Sequence, residues 1–335
     1  MKRNKIVITG AAGFIGSRLA KEFIKSGQEV VLVDKLSHFE TRSQISRIYQ
    51  DTENTNRIDR KDFNFWLVEN QSSCKYIFHL GACTNTYEMN KEYLLEMNTH
   101  YSMNLWKIAA QNKIPFIYAS SAAIYGNGEE GYDDRISPNV FKPLNPYGLS
   151  KQLFDNWVLN HSEADRPPIW AGFRFFNVYG FGEKHKGKMS SVFRHAFDQI
   201  YESGKLKLFR SHRFDIEDGL QKRDFILVDD IISLLLGLTI KSIPNGIYNL
   251  GTGHAKSFIE LANSVFRVMG KKKNIEFIDT PLEIRKNYQY FTEANMEKLR
   301  SVGFKNEFTS LEKGSEIYWN KAENEFSLSP ITQRG

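Results

Sequence analysis

Ile6-Val7-Ile8-Thr9-Gly10-Ala11-Ala12-Gly13-Phe14-Ile15-Gly16 is the stretch that decides how this chain folds. Lys5 to Thr9 is a short β-branched run and reads as a buried strand. Gly10, Gly13 and Gly16 follow at intervals of three, and Phe14 to Ser26 reads as a helix that Gly27 closes as a C-cap. The order of strand, glycine turn and helix gives the glycines physical meaning. The first permits a tight turn, the second lets backbone approach a pyrophosphate, and the third lets helix and strand pack closely. The helix N-terminus then presents free N–H groups and partial positive charge to the anion. This predicts a dinucleotide site. Asp34, 18 residues after Gly16, closes the next strand (Glu29 to Val33), where a carboxylate can accept from the adenine ribose hydroxyls. Asp34 by itself favours NAD. Lys35, Arg42 and Arg60 stand nearby in sequence and could receive a 2′-phosphate, so the residues leave NAD and NADP both open.

Working outward, Tyr76 to Leu80, Phe116 to Ala119 and Ile169 to Phe175 are further apolar strands, separated by the helical stretches Tyr93 to Asn112 and Leu149 to Ser162. Continuous apolar strands alternating with helices mean parallel strands buried on both faces. The fold class expected is α/β, a Rossmann-type doubly wound parallel sheet with a smaller C-terminal α/β substrate lobe. Residues 1–175 form the dinucleotide-binding domain, with main-sheet segments also at about 224–252. Residues 176–223 and 253–321 form the substrate lobe, and 322–335 a flexible polar tail. Leu36 to Lys61 is polar and without clear period; a helix around Arg42 to Tyr49 is expected there, and no strand is assigned.

Composition narrows the classes. With 335 residues, 41% hydrophobic and 25% charged, the chain reads as an ordinary globular protein. No apolar run reaches 18 residues, and the basic start Met1 to Lys5 leads into an apolar stretch too short for a signal peptide, so the cytoplasm is the expected location. Cys74 and Cys83 form neither a disulfide framework nor a metal motif, and no metal is expected. The net charge of +6 is scattered, and Lys271 to Lys273 reads as a solvated turn. Neither a nucleic-acid nor a membrane partner is indicated; a diphosphate substrate is partner enough for this charge.

Tyr147-Gly148-Leu149-Ser150-Lys151 follows Pro143 and Pro146, so a helix should begin near Tyr147 and place Tyr147 and Lys151 on one face. A lysine ammonium beside a phenol favours phenolate and makes tyrosine usable as an acid/base near neutral pH. Ser121 stands just past the C-terminal end of a strand, where ligands bind in open α/β sheets, and its hydroxyl can hold a reacting oxygen. A turn serine capping a backbone group is the plainer alternative.

Gly10 to Gly16, Asp34, Phe78 to Ala82, Ser120 to Gly126, Pro143 to Lys151 and Arg174 to Gly180 together resemble the extended short-chain dehydrogenase/reductase family of nucleotide-sugar epimerases and dehydratases. Phe78 to Thr84, Phe176 to Met189 with His185-Lys186-Gly187, Lys222 to Phe225 and Tyr288 to Thr292 resemble its ADP-heptose 6-epimerase branch. The resemblance implies that Gly10, Gly13, Phe14, Ile15, Gly16, Asp34, Leu80, Gly81, Ala82, Cys83, Thr84, Asn98, Lys151 and Val178 surround the cofactor, usually NADP in this branch. It implies that Tyr147 and Lys186 are two acid/base groups, with Lys151 supporting Tyr147. Asn177, Lys188, His195, Phe209, Arg210, Ser211, His212, Arg223 and Tyr288 would face the substrate, with Arg223 on its diphosphate. The implied reaction is epimerisation at C6 of ADP-D-glycero-D-manno-heptose through a transient 6-keto intermediate, for lipopolysaccharide inner-core synthesis, in a homo-oligomer. Lys188 departs from the small hydroxyl residue usual in the branch, and Lys35 from its asparagine.

Rival readings are a different nucleotide-sugar epimerase, such as a 4-epimerase, and a catalytically silent dinucleotide sensor or scaffold. A dehydratase usually has an acidic pair where Ala122-Ala123 follows Ser121. A silent protein commonly loses the Tyr-Lys pair that this chain keeps.

Overall fold

The computed structural model describes residues 3–42, 49, 55–285, 288–305 and 307–327. Among them the strands are β1 (Lys5–Thr9), β2 (Glu29–Asp34), β3 (Asn56–Asp59), β4 (Cys74–His79), β5 (Phe116–Ser121), β6 (Trp170–Phe175), β7 (Asn177–Tyr179), β8 (Leu206–Phe209), β9 (Lys222–Leu227), β10 (Gly246–Leu250), β11 (Ala255–Ser257) and β12 (Ile275–Ile278). The principal helices are α1 (Phe14–Lys25), α2 (Leu36–Thr41), α3 (Phe63–Asn70), α4 (Tyr101–Gln111), α5 (Pro146–Leu159), α6 (Val192–Ser203), α7 (Val228–Gly237), α8 (Phe258–Val268) and α9 (Leu311–Ser327).

Alternate side chains of a strand point to opposite faces, so a β-branched run can feed two cores. Ile6 and Ile8 pack on one face with Leu19 and Phe23 of α1 and Ile231 and Leu235 of α7. Val7 packs on the other with Leu105 and Trp106 of α4 and Phe154 of α5. Between these layers lies a parallel sheet of order β10-β6-β5-β4-β1-β2-β3. The fold is a Rossmann-like doubly wound α/β sheet. The order reverses between β1 and β4, the place where such sheets bind ligands.

A third core, with Phe193 and Phe197 of α6, Leu206 and Leu208 of β8, Phe225 and Leu227 of β9 and Leu261 and Val265 of α8, fills a smaller lobe. There β11-β9-β7 and β12-β8 form two small sheets. Of the stretch 224–252, Gly246–Leu250 pairs with β6 in the main sheet, whereas Lys222–Leu227 pairs with β7 and β11.

Three local readings change. Asn56–Asp59 is a strand, pairing among the described residues only with β2 at the sheet edge. A helix lies at Leu36–Thr41, ahead of the one expected from Arg42, and most of that expected helix lies outside the described residues. The polar stretch from Ala322 continues α9 to Ser327, with Ala322 fully buried, so the helix extends past the expected start of the tail; residues 328–335 lie outside the described residues. Among the described residues no helix is long and apolar enough to cross a membrane.

Candidate active site

The site begins where the turns after β1 and β4 meet. Gly10 has φ +69°, and a Cβ there would lie 2.8 Å from the Gly81 backbone. Only glycines allow these turns to touch. Gly13 is the N-cap of α1 and offers no side chain, so among the described residues no N-cap side chain accepts from the first N–H groups of the helix. Asp34 binds the same turn: one carboxylate oxygen accepts from Ala12 N (3.0 Å), and the other accepts from Lys35 N (2.8 Å) and meets the His38 ring at 2.8 Å. Arg42 donates to Ala12 O at 2.5 Å and lies within the field of Asp34. Arg60 N donates to Asp34 O. A glycine cradle that a Cβ would fill, an uncapped helix end and an acidic strand end fit a nicotinamide dinucleotide.

Across the switch point, α5 is set by its own N-terminus. Asn145 caps Gly148 N at 2.8 Å, and Pro146 takes the first helical position, where no N–H is needed. A Cβ on Gly148 would lie 2.7 Å from Ala123 O, so α5 presses on the turn after β5. Tyr147 is thereby held in hydrogen-bonding reach of Ser121, whose Oγ also accepts from Ala123 N. Lys151, one turn on, is buried and donates to Ala119 O at 2.9 Å. Burial pulls its ammonium down to about 8, against the fields of Asp155 and Cys83.

One expectation is corrected here. A phenol lowered by Lys151 is not what this arrangement produces: burial pushes Tyr147 above its ordinary value, Ser121 opposes, and Lys151 is turned to the Ala119 carbonyl. Asn98, expected to flank the cofactor, also braces the loop beside it. It accepts from Cys83 N (2.8 Å) and donates to Cys83 O and Ser150 Oγ (3.0 Å each). It reaches both because Leu95–His100 is a π-helical turn, which rotates Asn98 inward between the Leu80–Thr84 loop and α5.

Lys186 stands in a 3₁₀ turn, Lys184–Met189, bent at Gly187. Its ammonium sits 5.1 Å from the Phe14 ring centroid and 3.2 Å from Glu183 Oε2. Arg18 of α1 donates to Phe181 O and so ties the loop to the dinucleotide turn. Lys186 therefore lies on the Phe14 side of the site.

A cavity of about 380 Å³ opens in the smaller lobe. Asn177, His195, Phe209, Arg223 and Tyr288 of the expected substrate set line it. Arg223 is buried, donates to the carbonyls of Lys222 and Gln289, and lies between the rings of Phe258 (5.7 Å) and Tyr288 (5.6 Å). Burial lowers its pKa, and among the described residues no carboxylate pairs with it. Arg210, Ser211 and His212 continue from Phe209 outside the lining; Arg210 is engaged by Asp218 and Asp279, and Ser211 and His212 by Tyr290. Lys188 is exposed and is not part of the lining either. The sequence reading missed Val192, Ala196 and Gln199. With His195 they occupy i, i+3, i+4 and i+7 on α6, a helical-face signal that was available once His195 was singled out.

The chain belongs to the NAD dependent epimerase/dehydratase family, whose pattern it matches over residues 6–251. It is an enzyme of the epimerase class using a nicotinamide dinucleotide. Its similarity runs further to proteins called ADP-L-glycero-D-manno-heptose-6-epimerase. One from Fusobacterium nucleatum is 39% identical over 326 residues, covering 93% of this chain and 96% of that protein. One from Nitratidesulfovibrio vulgaris is 40% identical over 317 residues with the same coverage. The crystal structure of the Helicobacter pylori ADP-L-glycero-D-manno-heptose-6-epimerase superposes with a TM-score of 0.79 at 28% identity, covering 96% of each chain.

Proposed function

We propose that this enzyme epimerises C6 of ADP-D-glycero-D-manno-heptose to the L-glycero form through a transient 6-keto intermediate, with NADP bound. The observation that carries the reading is Arg223: a buried guanidinium with no carboxylate partner among the described residues, facing a cavity with Asn177, His195 and Tyr288. A planar cation in that condition suits a diphosphate. The relatives' names supply the sugar.

The chemistry a bound dinucleotide supplies is reversible hydride exchange. The chain supplies the protons. An intermediate that turns over presents its oxygen in two places, and a separate acid/base for each is sensible. Tyr147, with Ser121 in reach, serves one orientation, and Lys186 serves the other. Lys151 holds the nicotinamide ribose. NADP is favoured over NAD because Asp34 already accepts from Ala12 N and Lys35 N and meets His38, leaving it less free for ribose hydroxyls, while Arg42 lies beside it.

Incubation with ADP-D-glycero-D-manno-heptose should yield the L-glycero epimer by NMR, and a C6 deuterium should stay in the product. Turnover of another nucleotide sugar in its place would overturn the substrate, and loss of label to water would overturn direct hydride return.

A further inference from the structure

Glu183 is fully buried in the loop before α6, yet nothing in the reaction described so far uses it. A buried carboxylate is costly unless it is paired and hydrogen-bonded. Glu183 meets that condition in a particular way. Its Oε2 accepts from Ser191 N at 2.6 Å and from Lys186 Nζ at 3.2 Å, and its Oε1 accepts from Ser191 Oγ. Ser190 Oγ closes the loop by donating to the Glu183 carbonyl. Ser191 in turn is the N-cap of α6, and its carbonyl accepts from His195 N one turn on. One carboxylate therefore joins Lys186 to the helix that carries His195 into the substrate cavity.

We propose that Glu183 is the positioning residue for Lys186, fixing its ammonium against Phe14 and in register with the substrate helix. The proposal rests on the acid/base role given to Lys186 above. Its geometry is local. Residues three apart in a 3₁₀ turn fall on the same side, so Glu183 and Lys186 meet. Gly187, with φ +54°, then turns the chain back so that Ser191 reaches the same carboxylate. A lysine has four rotatable carbons and is a poor acid/base unless something holds it. The cap of α6 alone does not require a glutamate, because the Ser191 side chain already accepts from Arg194 N.

The test is a double-mutant cycle on the full chain carrying its dinucleotide. Glu183→Gln should lower kcat about 10- to 100-fold and leave KM within about 3-fold. In a Lys186→Met background the same change should cost less than about 2-fold, because the residue it positions is gone. Ser191→Ala removes one donor but keeps the ion pair; it should lower the melting temperature and leave kcat within about 2-fold. A readout independent of turnover is the rate at which Lys186 is acylated by acetic anhydride, followed by peptide mass spectrometry. That rate should rise in Glu183→Gln and stay at the wild-type value in Ser191→Ala. Losses that multiply across the cycle, or an unchanged Lys186 acylation rate, would overturn the proposal. Wild-type protein that does not convert the heptose would sink the substrate reading alone, since the acylation result is independent of it.

Discussion

At the scale of single residues, the site sorts its charges by what surrounds them. Arg223 is fixed by two carbonyls and two rings, and the proposed function assigns its charge to the diphosphate. Arg223→Met should weaken ADP binding roughly 10- to 100-fold while leaving the melting curve nearly unchanged, as calorimetry would show; equal ADP affinity would remove Arg223 from the diphosphate site. Arg42 is the cation to which the NADP proposal assigns the 2′-phosphate: Arg42→Ala should weaken NADP more than about 10-fold and NAD hardly at all, measured by fluorescence titration of the stripped protein. Lys151 adds a pH dependence. Its buried ammonium titrates at about 8, so it is mostly charged at pH 7 and neutral at pH 9. Dinucleotide affinity of the stripped enzyme should therefore fall as pH rises through 8, and Lys151→Arg should flatten that fall. A wild-type affinity constant from pH 7 to 9 would contradict it.

At the scale of elements, the ends of β1 and β4 are tied by His79. Its ring meets Thr9 Oγ1 and Ser102 Oγ at 2.8 Å each, while Gly81 N donates to the same Thr9 hydroxyl. Burial, with the Lys151 charge adding to it, pulls the imidazole down to about 3. The folded state thus holds His79 neutral, whereas the unfolded chain takes a proton near the ordinary 6.5. This stabilisation is complete above pH 6.5 and is lost progressively as pH falls toward 3. The melting temperature should drop from pH 7 to pH 5, and His79→Asn should show a shallower drop. Parallel slopes would rule the residue out. The elements also show what a sequence can reveal. β1, β4 and β5 are legible because both their faces are buried and each has an unbroken apolar run, Ile6 to Ile8, Tyr76 to Phe78 and Phe116 to Ala119. β3 is not, because Asn56-Arg57-Ile58-Asp59 is an edge strand with one buried side chain, and a single apolar residue has no period. The glycine turn and the Tyr147–Lys151 helix are equally legible, since local sterics impose them. Asn98 was legible as a site residue but not as a brace, for a π turn leaves no mark in hydrophobic spacing. Glu183 was invisible because its partners meet it only through the fold of the loop.

At the scale of the whole molecule, Asp224 joins the lobes. It is fully buried, and its carboxylate accepts from Thr252 N and Oγ1 (2.7 Å each), Gly253 N (2.9 Å) and Ala294 N (3.0 Å). Thr252 and Gly253 lie just beyond the end of β10 of the main sheet and Ala294 packs in the main core, while Asp224 belongs to β9 of the smaller sheet. Asp224→Asn keeps the shape but turns one of the two acceptor oxygens into an NH₂ group facing N–H donors. It should cost roughly 2–4 kcal/mol of stability, seen as a lower urea midpoint, and should lower ADP affinity too, because Arg223 is its neighbour. Unaltered stability would show that the joint is made elsewhere.

Among the described residues the chain passes between the lobes several times, also at Leu227–Val228 and on either side of the Ala294–Leu299 segment, and two of the crossings are very short bridges: Phe176 alone separates β6 from β7, and Gly251 to His254 separate β10 from β11. Neither bridge has slack, and the second is the one Asp224 clasps. The two lobes are consequently poor cassettes. A smaller lobe grafted from a relative would have to be cut at every one of these crossings and bring its own partner for the clasp, so altered specificity is better sought by changing the cavity wall, at positions such as Gln199 and Lys207, than by exchanging the lobe.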